Sequence, residues 1–178
     1  MKKPRPKSFR HLAGLKVTAV FSNCGKYRYL MEIKRVQETS GKQVCAIMLN
    51  PSIANENQAD KSVQFLEKLI FEKPSAYFKD ISELTIVNLF AHIQTRSFQG
   101  NPKQVGPLND HYLQYAISKA HIALIAWGKT CGFPERQKVV MRFLEEFPEK
   151  PVLQTRSHPS RGTYKDFVHP FSTKEKGP

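Results

Sequence analysis

Val44-Cys45-Ala46-Ile47-Met48-Leu49 runs straight into Asn50-Pro51-Ser52-Ile53-Ala54-Asn55-Glu56-Asn57-Gln58-Ala59-Asp60. A short, unbroken apolar run of this kind suits a strand buried on both faces of a parallel sheet. Asn-Pro-Ser then enforces a turn, because Pro51 fixes φ and has no backbone donor. Asp60 can cap a helix that runs to about Phe71, with Val63, Leu66, Leu69 and Ile70 on its inner face.

The same strand-loop-helix unit recurs downstream. Leu84–Leu89 (LTIVNL) is a second apolar run, and Asn109 or Asp110 can cap a helix through Lys119 that buries Tyr112, Tyr115 and Ala116. Ile122–Ala126 (IALIA) is a third run. Pro134 opens another helix with Val139, Val140, Phe143 and Leu144 inside, closed by Pro148. Val152–Gln154 makes a short fourth strand, followed by Arg156-Ser157-His158-Pro159-Ser160-Arg161-Gly162. Upstream, Val17–Ser22 and the alternating Tyr27–Val36, with Tyr29, Met31 and Ile33 on one face, flank the turn signal Asn23-Cys24-Gly25-Lys26 and read as a hairpin. Residues 1–13, with two prolines and no acidic residue, are expected to be a flexible basic arm, and 14–178 a single domain. The alternation predicts an α/β fold: a sandwich around a four-stranded parallel core sheet, with an N-terminal β-hairpin.

In such sheets ligands bind beyond the carboxyl ends of the strands. The unusual peptides of this chain all fall there: Asn50-Pro51-Ser52, Asn88 to His92, Trp127-Gly128-Lys129, and His158-Pro159-Ser160. Bulk charge narrows what could bind. Lys and Arg number 28 against 15 Asp and Glu, a net charge of +13, which favours polyanions and phosphate contacts. Nucleic acid, DNA in the cleft reading below, is the expected partner; a protein merely kept soluble by one sign of charge, or one that works beside an acidic membrane surface, is the plain alternative. No run of about 18 apolar residues exists to span a membrane, and the basic N-terminus lacks the apolar core of a secretory signal. Three separated cysteines suit a reducing compartment and cannot supply four cluster ligands. A cytoplasmic monomer without metal or cofactor is therefore expected.

Each loop residue has a chemical use and a plainer one. Asn50 can fix a water through its amide, and Asp60 is the carboxylate nearest the following helix; a simple strand exit is the alternative for this loop. Asn88 lies in an apolar strand, where an unbonded amide costs about 1–3 kcal/mol. It either braces a loop or reads a base edge, with Phe90 and His92 completing a base-binding set. His158 can donate to an oxygen that gains negative charge. Ser160, Ser52, Lys129, Arg156 and Arg161 can meet phosphates, and the segment from Arg161 to Tyr164 can fill the gap left by an extruded base. A basic surface turn is the alternative for this last loop. For Trp127 a core anchor is expected.

The order of LNPSIAN…D, IVNLFAH, GPLND, AWG and HPS resembles the uracil-DNA glycosylase superfamily, most closely an uncharacterised bacterial and phage branch of it, over about residues 27–170. That resemblance implies a three-layer α/β/α fold, no metal, and hydrolysis of an N-glycosidic bond after base flipping. It places Asn50 where the attacking water is held, Asn88 where the base is read, and His158 where the departing base is supported. Ser52 stands where the uracil enzymes carry a tyrosine that excludes the thymine methyl, so uracil selectivity does not follow. The implied activity is a monofunctional DNA glycosylase acting on a damaged or modified base, extending to a hypermodified phage base and a role in antiviral defence. A non-catalytic nucleic-acid binder of the same fold, and a hydrolase or binder of free modified nucleotides, are the alternatives.

Overall fold

The computed structural model describes residues 9–38, 40–94, 96–129 and 131–172. Seven strands among them form one mixed sheet: β1 (Leu15–Phe21), β2 (Arg28–Arg35), β3 (Lys42–Met48), β4 (Ile81–Asn88), β5 (Ile122–Ile125), β6 (Val152–Thr155) and β7 (Val168–Pro170), in the order β1-β2-β4-β3-β5-β6-β7. β4, β3, β5 and β6 run parallel to one another. The expected four-stranded sheet is thus corrected to seven. The hairpin is not beside the sheet but within it, because β2 pairs antiparallel with β4. β7, which pairs antiparallel with β6, was too short and too polar (Val-His-Pro) to announce itself by periodicity.

Alternation along β3 divides the core. Val44, Ala46 and Met48 join a cluster with Val63, Phe65 and Leu66 of the first helix, whereas Cys45 and Ile47 join Leu113, Ile117, Val140 and Leu144 on the opposite face. Helices therefore cover both faces of the sheet. α1 (Lys61–Glu67) starts as expected, with the Asp60 side chain accepting from Val63 N at 2.7 Å, and continues as one wider π turn, Lys68–Glu72. α2 (Pro102–Val105) has no apolar period to reveal it. It is nucleated by a capping box in which Asn101 and Gln104 satisfy each other's backbone donors.

α3 (Asn109–Lys119) departs from the expected phase. Leu108 is its N-cap, and neither Asn109 nor Asp110 serves that role. The Asn109 amide instead donates to the carbonyls of Asn88 (3.0 Å) and Leu89 (3.1 Å), and Asp110 pairs with Arg136. With Asn109 turned to the sheet, Leu113, Ala116 and Ile117 follow it inward, and Tyr115 is left 44% exposed rather than buried. Removing the Asn109 amide takes its bond from the Asn88 carbonyl and leaves the Leu89 carbonyl to Arg136 Nε alone, at 2.6 Å. Asn109→Ala is expected to cost about 1–3 kcal/mol, measurable as a lower urea midpoint. α4 (Pro134–Glu145) begins at Pro134 as predicted and buries Val140 and Leu144.

Of the arm expected over residues 1–13, residues 1–8 lie outside the described residues, and Phe9–Leu12 is stitched down. Phe9 bridges Ala59, the Arg10 carbonyl accepts from Gln64, and His11 and Leu12 both bond Glu67 at the end of α1. The cause is a buried carboxylate: the Glu67 side chain has no exposed surface and draws donors from 55 and 56 residues away.

Candidate functional site

The carboxyl ends of the four parallel strands lie along one edge of the sheet, so the loops after them are neighbours. Three of those loops enclose a hollow of about 360 Å³ whose wall includes Leu49 after β3, Trp127, Lys129 and Phe133 after β5, and His158 and Arg161 after β6. Arg156 also lines it, and no acidic residue does. The hollow is therefore an electropositive recess with an aromatic wall. Trp127 is 7% exposed, a core anchor that also shows one side to the hollow.

His158 is held by its own loop. Pro159–Arg161 form a 3₁₀ turn capped by the imidazole: Ser160 N donates to Nδ1 at 3.2 Å, with Ser160 Oγ at 2.9 Å. Because Nδ1 accepts a backbone proton, the neutral ring carries its hydrogen on Nε2. Burial pushes the His158 pKa below the ordinary imidazole value; the Asp60 charge opposes this and Arg161 adds to it. Gly128 backs the ring's loop. Its φ is +89°, and a Cβ there would sit 3.1 Å from His158 N and 3.4 Å from His158 Cβ. The close approach that a glycine permits is thus made to the neighbouring loop.

Asp60 is the electrostatic hub. One oxygen caps α1 and the other accepts from Ser52, while its charge acts on His158, His11 and Arg28. Ser52 is consequently engaged inside the protein. Asn50 donates its amide to the carbonyls of Gln94 (2.6 Å) and Pro51 (3.3 Å), bracing the β3 exit against the β4 exit and leaving its oxygen as the end it can present.

Asn88 sits at the last position of β4, in register with Met48, and shares the α1 face with Met48 and Ile86. It has no exposed surface, and neither its Nδ2 nor its Oδ1 has a hydrogen-bond partner. Bracing a loop does not account for it, since a brace would be bonded. The remaining candidates divide. Lys129, Arg156 and Arg161 are exposed around the hollow, Arg156 with Nε on the Asp166 carbonyl. Tyr164 is 37% exposed and stacks on Phe65 with centroids 4.5 Å apart. Phe90 packs inside an aromatic cluster with Phe98 and Phe133, one ring behind the wall of the hollow. His92 stands against Tyr27 with a buried, unpartnered Nδ1, and no contact joins it to His158.

One buried charge in the field of Asp60 escaped sequence reasoning. Arg28, the first residue of β2, has no exposed surface; Nη1 donates to the Ala54 carbonyl at 2.7 Å, and Nε and Nη2 have no partner. Burial lowers its pKa to about 10 against the pull of Asp60, so it stays charged at neutral pH. The available signal was a lone arginine in an apolar strand, whose head group must be accounted for once it is buried.

The fold and the recess define an α/β protein with a basic, strand-end cleft whose wall holds one neutral imidazole. The chain belongs to the DUF1643 family, described as a protein of unknown function, whose family model spans residues 28–170. Those bounds run from Arg28 through the end of β7, so all four site loops fall inside the family's extent. No curated protein and no solved structure matches the chain. No group of three or more metal-ligating side chains occurs among the described residues, and none of the described helices is long and apolar enough to cross a membrane.

Proposed function

We propose that this protein is a DNA glycosylase that removes a flipped, damaged or modified base, and that its α/β domain is of the uracil-DNA glycosylase type. The observation that carries the reading is His158: a neutral imidazole with Nδ1 fixed by Ser160 N, Nε2–H available as a donor, in a hollow lined by Lys129, Arg156 and Arg161 without a carboxylate. The bases Lys129, Arg156 and Arg161 suit the phosphates that flank an extruded nucleotide. The resemblance in loop order supports the same assignment.

In the proposed reaction the bond from C1′ to the base nitrogen breaks and both electrons leave with the base. Water adds to C1′, and the proton it loses is the one that the released base acquires overall. Positive charge grows on the sugar, where neighbouring phosphates stabilise it. Negative charge grows on the base, where the Nε2–H of His158 donates to it without a change of tautomer. An oxocarbenium-like transition state asks less of a general base, as in glycoside hydrolysis, which suits a loop where Asp60 already accepts from Ser52 and Val63. The modified bases of phage genomes are within the same reading, because Ser52 brings no bulk to the loop.

That engagement of Asp60, together with the tied Asn50 amide, favours a second reading: a nucleic-acid binder that has no catalytic turnover. One experiment separates the two. Incubation with several genomic DNAs, unmodified and modified, followed by mass spectrometry of released bases and hot alkali, is expected to give a free base and strand breaks at abasic sites. Tight, salt-sensitive DNA binding with no base released from any genome would establish the binder instead.

A further inference from the structure

Arg28 and Asn88 hold four polar atoms with no partner, all without solvent access: Nε and Nη2 of the guanidinium, and Nδ2 and Oδ1 of the amide. Both side chains belong to the α1 face at the carboxyl end of the central strands. Asn88 is on that face by its register with Met48, and Arg28 by its bond to Ala54, which packs in the same cluster. Arg28 N also bonds the Ala91 carbonyl, which brings the start of β2 level with the exit of β4.

The pairing of unused atoms is chemically specific. Nε–H and Nη2–H are parallel donors along one edge of a guanidinium, the edge that grips two adjacent acceptors at once. The third nitrogen, Nη1, is spent on Ala54. A guanidinium edge buried without an acceptor from the protein is costly, so a purely structural arginine would be expected to have one. An anion is one kind of partner, but the charge of Asp60 already acts on Arg28, and a buried anion would leave an excess negative charge. A neutral group with two neighbouring acceptors is the better match.

We infer that Arg28 and Asn88, neither of which lines the hollow as it stands, form the specificity end of a base pocket that opens beside it and select a ring whose edge carries two adjacent acceptors, of the cytosine type (O2 and N3) or the guanine type (O6 and N7). Uracil and thymine place N3–H between their carbonyls and offer no such edge; adenine alternates acceptor and donor. Asn88, with one donor and one acceptor, completes the reading of the same ring. The inference rests on the cleft being a nucleobase site, though not on catalysis. Since both side chains are covered, a base reaches them when the Pro51–Ala59 loop, which holds Nη1 through Ala54, moves aside.

The test uses deoxynucleoside 5′-monophosphates and calorimetry on the full chain. dCMP or dGMP is expected to bind roughly tenfold or more tightly than dUMP, dTMP and dAMP, and Arg28→Met is expected to reduce that preference to about twofold or less without lowering Tm. Arg28→Lys, which keeps the charge and loses the fork, should lose the preference as well, and it decides the matter if the methionine variant does not fold. No saturable binding, equal binding of all five nucleotides, a preference that survives both substitutions, or inorganic phosphate competing as well as dCMP would each overturn the assignment. An intact, Arg28-dependent preference with no base released from DNA would bring down the enzymatic reading alone.

Discussion

Replacing His158 with alanine is expected to lower the rate of base release by roughly 10²–10³-fold, the usual consequence of losing one donor aimed at a developing negative charge. The loss should fall on kcat more than on KM, because the phosphate contacts proposed for Lys129, Arg156 and Arg161 are untouched by the substitution. The pH profile carries the sign of the mechanism. Burial holds the His158 pKa below the ordinary imidazole value, so the neutral ring persists through neutral pH and somewhat below it. As pH falls through that lowered value, Nδ1 gains a proton and can no longer accept from Ser160 N, and the 3₁₀ turn that positions the ring loses its cap. Activity should be level around neutrality and fall on the acid side, and the alanine variant should lack that acid limb. Single-turnover release measured across the acid range checks both statements. A variant with undiminished release would show that the imidazole has no part in the chemistry.

Glu67→Ala should produce the largest loss of stability, about 3–5 kcal/mol, the usual cost of removing one partner of a buried ion pair. Both ring nitrogens of His11 face acceptors: Nδ1 lies 2.5 Å from Glu67 Oε1 and Nε2 lies 2.8 Å from the Asn55 carbonyl. Only the imidazolium satisfies both. Burial alone would lower the His11 pKa, but the Glu67 hydrogen bond, the Asn55 carbonyl and the charges of Glu67 and Asp60 outweigh it, and the net shift is upward. A raised folded-state pKa stabilises the native state fully below the unfolded imidazole value, and that contribution is lost as pH rises through the raised one. Urea unfolding at mildly acid and at alkaline pH should therefore find the wild type weakened at the higher pH by a component that Glu67→Ala no longer has. Equal pH dependence in the two proteins would refute the ion pair.

How much of this was legible in the sequence depended on the length scale of each signal. Unbroken apolar runs such as VCAIML and IALIA, and a capped amphipathic segment such as that beginning at Asp60, carry their structure locally and were placed correctly. The phase of α3 was not local. It is fixed by Asn109 reaching back to the end of β4, 20 and 21 residues earlier, and a periodicity that also tolerated Tyr115 inside could not foresee it. β7 and α2, of three and four residues, barely exceed one period of a strand or helix and show no repeat. The strand-end peptides were recognisable as a set because Asn, Pro, His and Gly interrupt apolar sequence there. The depth of Phe90 was not legible: its ring packs against Phe98 and Phe133, a layer no linear pattern records. Arg28 and the His11–Glu67 pair remained hidden because a charged residue reads as surface until the fold buries it.

Gly128 gives the arrangement a point of fragility that is separate from its chemistry. Where His158 stands is inherited from an adjoining residue that contributes only backbone, so the imidazole can be displaced without any change to the loop that bears it. One methyl group on that neighbour, at a left-handed φ that side chains resist, would wedge the two exits apart.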